Sequence, residues 1–134
     1  MGPAFWPVFL LLIAIGYVVA FTRKGHVRMG MSSSQITITS PAPPEVVLER
    51  IKLIGSPYHI DAAEGPVVIV SSPVTFGSWG FFYPVHVHAE GSGSRIVVGV
   101  SSKVFQIGPL VTRAHNKCVE AIEATLAVPV ARLA

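Results

Sequence analysis

The sequence predicts an α+β fold: one N-terminal transmembrane helix, then a small curled antiparallel sheet carrying two helices, in the order β-α-β-β-β(-β)-α. Three observations predict it. Residues 3–22, "PAFWPVFLLLIAIGYVVAFT", contain no charged side chain. Between residues 35 and 102, short runs alternate apolar and polar side chains with the period of a half-buried strand. Two further stretches, near residue 45 and after residue 108, space their apolar residues as one face of a helix.

The apolar run accounts for the composition, which is 51% hydrophobic and 13% charged, against roughly 25% charged in an average soluble protein. A helix rises about 1.5 Å per residue and the bilayer core is roughly 30 Å thick, so residues 1–22 are assigned as a transmembrane helix. Pro7 fits the first turn, where no intrahelical N–H is lost. Trp6 and Tyr17 stand near the ends, where amphipathic rings settle at the interface. A cleaved signal peptide would want a positive n-region and an apolar stretch of about 7–15 residues. Neither is present, so the segment is read as an uncleaved anchor.

Charge sets the orientation. Arg23, Lys24 and Arg28 follow the span, and no Lys or Arg precedes it. The positive-inside rule then puts the N-terminus outside and the C-terminal domain in the cytoplasm. Without those three residues the chain carries seven basic against seven acidic side chains. The positive charge therefore belongs to a membrane-surface segment, and no nucleic-acid partner is expected. Cys118 is the single cysteine, which excludes an internal disulfide.

Residues 23–34 read as a basic juxtamembrane segment and linker, residues 35–127 as a small α+β domain, and residues 128–134 as a C-terminal tail. "QITIT" alternates as a first strand. "PAPPEVVLERIKLIG" has prolines at its start, Glu45 in its first turn, and Val47, Leu48, Ile51 and Ile54 on one face. "PYHIDAAEGPVVIVSSP" carries one or two strands. "YPVHVHAE" and "RIVVGVSS", joined by "GSGS", form a hairpin with one wet face. The closing "GPLVTRAHNKCVEAIEATLA" repeats Leu110, Ala114, Cys118, Ile122 and Leu126 down one helical stripe.

"ITITSPAPPEVVLERI" resembles the opening of the START-type helix-grip superfamily, which includes polyketide cyclases and lipid-transfer domains. "GSGSRIVVGVSS" with "GPLVTRAHNKCVEAIEATL" is similar to its last hairpin and closing helix. The resemblance implies an apolar ligand, such as a lipid, held between sheet and closing helix. The superfamily's usual second short helix and two or more of its strands are not legible between Gly55 and Phe76. In so shortened a domain, the two apolar surfaces are expected to meet directly. No catalytic residue is shared across the superfamily, so none is carried over.

Chemical motifs are sparse. His86, His88 and Glu90 share one strand face, and His86 and His88 are the candidates for a metal site, with Glu90, His59 or His115 as a third ligand. The simpler expectation is that all three form the solvent or partner face of the hairpin, since no metal-binding motif accompanies them. His115 is expected at the surface. Cys118 falls on the buried stripe as inert packing, and Glu120 and Glu123 lie on a solvated face. Phe76, Trp79, Phe81 and Phe82, in the glycine-flexed "TFGSWGFF", are either core aromatics or a lip for lipid or partner contact. No cofactor and no catalysis are expected.

Three functional classes follow, in order of preference. The first is a non-catalytic accessory subunit of a larger membrane complex, with other membrane-protein subunits as partners. The second is a membrane-tethered hydrophobic-ligand or lipid binder. The third is a metal-dependent enzyme using His86 and His88. The orientation has a direct test: a cytoplasm-specific reporter fused after Ala134 is expected to be active. Activity from an export-specific reporter would reverse the assignment.

Overall fold

The computed structural model describes residues 5–73, 80–103 and 108–127, and the side chain of Arg28 lies outside the described set. Helix α1 (Phe5–Thr22) is followed by a 3₁₀ turn at Val27–Met29, then β1 (Gln35–Ser40), α2 (Pro44–Ile51), β2 (His59–Glu64) and β3 (Val67–Ser72). Next come β4 (Phe81–Glu90), β5 (Gly93–Gly99), the two-residue β6 (Ser101–Ser102) and α3 (Gly108–Ala127). The order is the predicted one, with β6 added. All pairings are antiparallel and the spatial order is β1-β5-β4-β3-β2, with β6 beside β4.

Strands β5 and β6 share one register against β4: Val85 faces Val98, and four residues along each strand Phe81 faces Ser102. Pro84 stands between these pairs and has no N–H for the ladder. Just past the end of β1, the Val100 N–H donates to the Ser32 hydroxyl at 2.9 Å. A side chain here substitutes for a strand neighbour.

Both helices lie on one face of the sheet. Pro44 occupies the start of α2, where its missing N–H costs nothing, and Glu45 complements the positive end of the helix. Val47 and Ile51 of α2 and Cys118 and Ile122 of α3 are fully buried, in one cluster with Tyr83, Val85, Ile96 and Val98. Arg50 donates to the Leu126 carbonyl at 2.9 Å and joins α2 to the end of α3. The stripe expected on α3 is partly corrected. Ala114, Cys118, Ile122 and Leu126 pack inward as predicted, but Val111 takes the part given to Leu110, and Val119 and His115 join. Steps of four residues drift by about 40° each around a helix, so a long contact must mix steps of three and four.

His115 therefore turns inward instead of lying at the surface. It is 5% exposed, and its Nε2 lies 2.8 Å from the Val98 carbonyl. A carbonyl only accepts, so Nε2 carries the hydrogen and the buried imidazole is partnered.

The opposite face of the sheet is covered too. In β3, Val68 and Val70 belong to the helix-side core, while Ile69 between them points away, and all three are inaccessible to water. In β4, Phe81, Tyr83 and Val85 point to the helices, yet Phe82 and Pro84 are buried as well. Such unbroken apolar runs belong to strands covered on both faces. The cover is the stretch read as juxtamembrane segment and linker. Gly25 lies so close that a Cβ there would run into Ile69 Cγ2 and stand 3.1 Å from Phe82 Cδ1. Further along, a Cβ on Gly99 would stand 2.6 Å from Met31 Sδ and from Ser32 Oγ. Residues 25–32 thus cross from β3 to β5 as a strap.

Closeness at Gly25 is testable. Gly25→Ala should destabilise the detergent-solubilised chain by about 1–3 kcal/mol in chemical denaturation, the usual cost of overpacking. Gly55→Ala, where no atom lies within 4 Å of the added Cβ, should change stability by less than about 0.5 kcal/mol.

Candidate functional site

The polar groups on the outer face gather where the strap begins. Strand β2 pairs with β3 through Ile60 opposite Val70 and then Ala62 opposite Ile69, so Asp61 is the extra residue of a β-bulge. A bulge re-aims the side chain it carries. Asp61 Oδ2 accepts the Gly25 N–H at 2.8 Å, and Oδ1 accepts the Ser71 hydroxyl at 3.0 Å. Ser71 Oγ lies 2.6 Å from His59 Nε2. The carboxylate only accepts, so the hydroxyl hydrogen goes to Asp61 and Ser71 receives the His59 N–H.

These three residues are the types of a nucleophilic triad, but not its geometry. In a triad the imidazole meets the nucleophile with one nitrogen and the carboxylate with the other. Here His59 Nε2 faces both Ser71 Oγ, at 2.6 Å, and Asp61 Oδ1, at 3.4 Å. Ser71 is moreover fully buried. The cluster fastens the strap to the sheet.

Beside it, Arg23 donates from Nη1 to the Lys103 carbonyl at 2.6 Å. The Arg23 guanidinium and the Lys103 ammonium each lie 5.3 Å from the centre of the Phe82 ring. Burial holds the Lys103 ammonium below its ordinary pKa; Asp61 opposes that shift and Arg23 adds to it. A recess of about 360 Å³ opens here between the last turn of α1 and the sheet, lined by Phe21, Arg23, Lys24, His59, Asp61 and Lys103 among others.

The residues singled out in the sequence are distributed differently. Arg23 is fixed in this cluster, Lys24 lines the recess, and the Arg28 side chain lies outside the described set. Phe81 is in the core and Phe82 lies beneath the strap, so neither offers a free contact surface, while Phe76 and Trp79 lie outside the described residues. His88 and Glu90 are exposed. His86, expected on the same wet face, is half-buried, and its Nε2 is inaccessible and has no hydrogen-bond partner among the described residues. Periodicity alone could not show that this position is partly covered. Among the described residues no three His, Cys, Asp or Glu side chains stand together as a metal site. Burial pushes the Cys118 thiol well above its ordinary range, so it is protonated and shielded rather than nucleophilic.

Sequence reasoning passed over Asp61, Ser71 and Lys103. The available signal was "HID", an acid beside a histidine entering a run of apolar strands, and it does not reveal a bulge.

No known family model matches the chain, and no curated protein matches it. Among solved structures, the crystal structure of Ara h 8.0201 is similar over 72% of this chain and 95% of that chain, at 14% identity and a TM-score of 0.51. The crystal structure of TTHA0849 from Thermus thermophilus is similar over 69% and 92%, at 19% identity and a TM-score of 0.37. Ara h 8 is Bet v 1-like, with a helix-grip fold. At such identity the likeness shows a fold alone: this is a helix-grip-like α+β domain behind an apolar helix.

His86 generates a prediction. Burial, and then His88, hold its pKa below the ordinary histidine value. The unfolded chain therefore takes up the proton first as pH falls, and stability present above about pH 6.5 declines as pH drops through that value toward the folded one. The melting temperature of the wild type should fall more steeply between about pH 7 and pH 5 than that of His86→Leu. Parallel profiles would remove His86 as a source of acid sensitivity.

Proposed function

We propose that this chain is a single-pass membrane protein, without catalysis of its own, whose domain serves as an interaction subunit of a larger membrane assembly at the cytoplasmic face. The observation that carries the reading is the fixed joint between α1 and the sheet. A flexible Gly/Ser-type linker would leave the height and angle of the domain open. Here Arg23 is bound to the Lys103 carbonyl and Gly25 to Asp61 within three residues of the helix end. A domain held at a set height and angle suits a partner that must be met at that geometry.

The helix itself supports the same reading. It is long and apolar enough to cross a membrane, and only 11% of it is buried within the chain. Leu10, Leu11, Leu12 and Val18 are each about 60% exposed. That surface calls for lipid or neighbouring spans, since water would be costly along its whole length.

A second reading, a membrane-tethered binder of a hydrophobic ligand, is favoured by the likeness to a helix-grip protein. Against it stands the close packing of Cys118 and Ile122 on the strands that would floor such a cavity.

Mild-detergent purification distinguishes the two. Stoichiometric protein partners are expected. They should be lost when residues 5–21 are replaced by an unrelated span, and weakened when a flexible Gly-Ser insert is placed between Thr22 and Arg23. The protein alone with a co-purified lipid would favour the second reading, and partners retained undiminished by both variants would show that the joint does not serve docking.

A further inference from the structure

We propose that the recess between the end of α1 and the outer face of the sheet binds a phosphate group, supplied in the membrane by an anionic phospholipid headgroup, through Arg23, Lys24, Lys103 and His59. The choice of a lipid as source rests on the membrane-anchor reading above; the chemistry of the recess does not. Three cations line the recess against one carboxylate. That carboxylate is already engaged, with one Asp61 oxygen on the Gly25 N–H and the other on the Ser71 hydroxyl. Among the described residues neither Arg23, Lys24 nor Lys103 forms an ion pair.

Lys103 is the telling residue. It is 5% exposed, and among the described residues its ammonium has the Phe82 ring as partner and no oxygen acceptor. The Arg23 guanidinium occupies the same ring. Two like charges against one aromatic ring, with Asp61 as the one carboxylate nearby, leave a net positive field that a bound anion would offset.

Position favours a lipid as the source. The 18 residues of α1 rise about 27 Å, close to the roughly 30 Å of a bilayer's hydrocarbon core. The recess begins at the last turn and so falls at the level of lipid phosphates, with Phe21 and Ala20 as an apolar wall. One effect works against an anion: the C-terminal carbonyls of α1 carry partial negative charge. Arg23 and Lys24, directly beyond the helix end, offset it with full charges. The volume of about 360 Å³ lies at the lower end of ligand pockets, about 300–1,000 Å³.

The test uses the full chain in lipid discs of equal phosphatidylcholine and phosphatidylglycerol, with native mass spectrometry of the lipids retained. A bound phosphatidylglycerol is expected, with a preference that drops about fivefold for each cation removed in Lys103→Gln and in Lys24→Gln. Lys24 is exposed, so its variant keeps the test decisive if Lys103→Gln fails to fold. Arg113→Gln, exposed on α3, should leave the preference unchanged. In pure phosphatidylcholine discs, thermal stabilisation by millimolar inorganic phosphate that is lost in Lys24→Gln would support the same site with a soluble source. No headgroup preference together with no stabilisation by phosphate overturns the proposal, as does an equal loss in Arg113→Gln. Extraction of the chain by alkaline carbonate would tell against the anchor instead, and phosphate stabilisation of the extracted protein would still decide the recess.

Discussion

Ile69, Phe82 and Pro84 stand on the side of the sheet away from both helices, and each large apolar side chain left bare there would cost roughly 1.5–3 kcal/mol. Covering them is the constraint on which the remaining architecture depends. Neither helix can do it, because α2 and α3 already close the other face. The cover is drawn from the chain immediately after α1. That choice requires a glycine at the closest approach, a carboxylate to hold its N–H, and a bulge to place that carboxylate. The polar cluster on the outer face is a consequence of burying apolar surface.

The same constraint joins the apolar helix to the domain. Because the strap is part of the fold, α1 ends where the sheet begins, and lifting the strap would expose Ile69 and Phe82. Motion at this joint would require breaking the Gly25–Asp61 bond and lifting Arg23 from the Phe82 ring. Strand pairing contributes nothing to this link, since the strap crosses the strands rather than lying alongside them. The link is made by a few close contacts and hydrogen bonds.

Much of the fold is legible in the sequence because binary patterning reports directly on which elements exist. "QITIT", "PEVVLERI" and the closing helix each carry their period plainly. The departures lie where periodicity is a weak guide to environment. An imidazole on a helix flank usually faces water, and only the nearby Val98 carbonyl lets His115 be buried. Alternation gives His86 the outer face of its strand, but alternation cannot say whether that face is covered. The candidate site is less legible still. Asp61, Ser71 and Lys103 come from three separate segments, and no local spacing relates them.

By itself, the sequence determined the local elements and their order. It also supplied an uncharged run with the length of a membrane span and a cluster of cations following it. These depend on neighbours a few residues apart, through periodicity, capping and hydropathy. Only the tertiary structure decided that residues 23–32 are part of the domain, that Asp61 sits on a bulge, and that Arg23 and Lys103 share one ring. The bulge depends on how β2 pairs with β3, and the strap's bonds join residues 36 and 80 positions apart in the chain. The physical reason is that burial and charge compensation are settled by whatever packs opposite a side chain, and a strand's own pattern does not contain its cover.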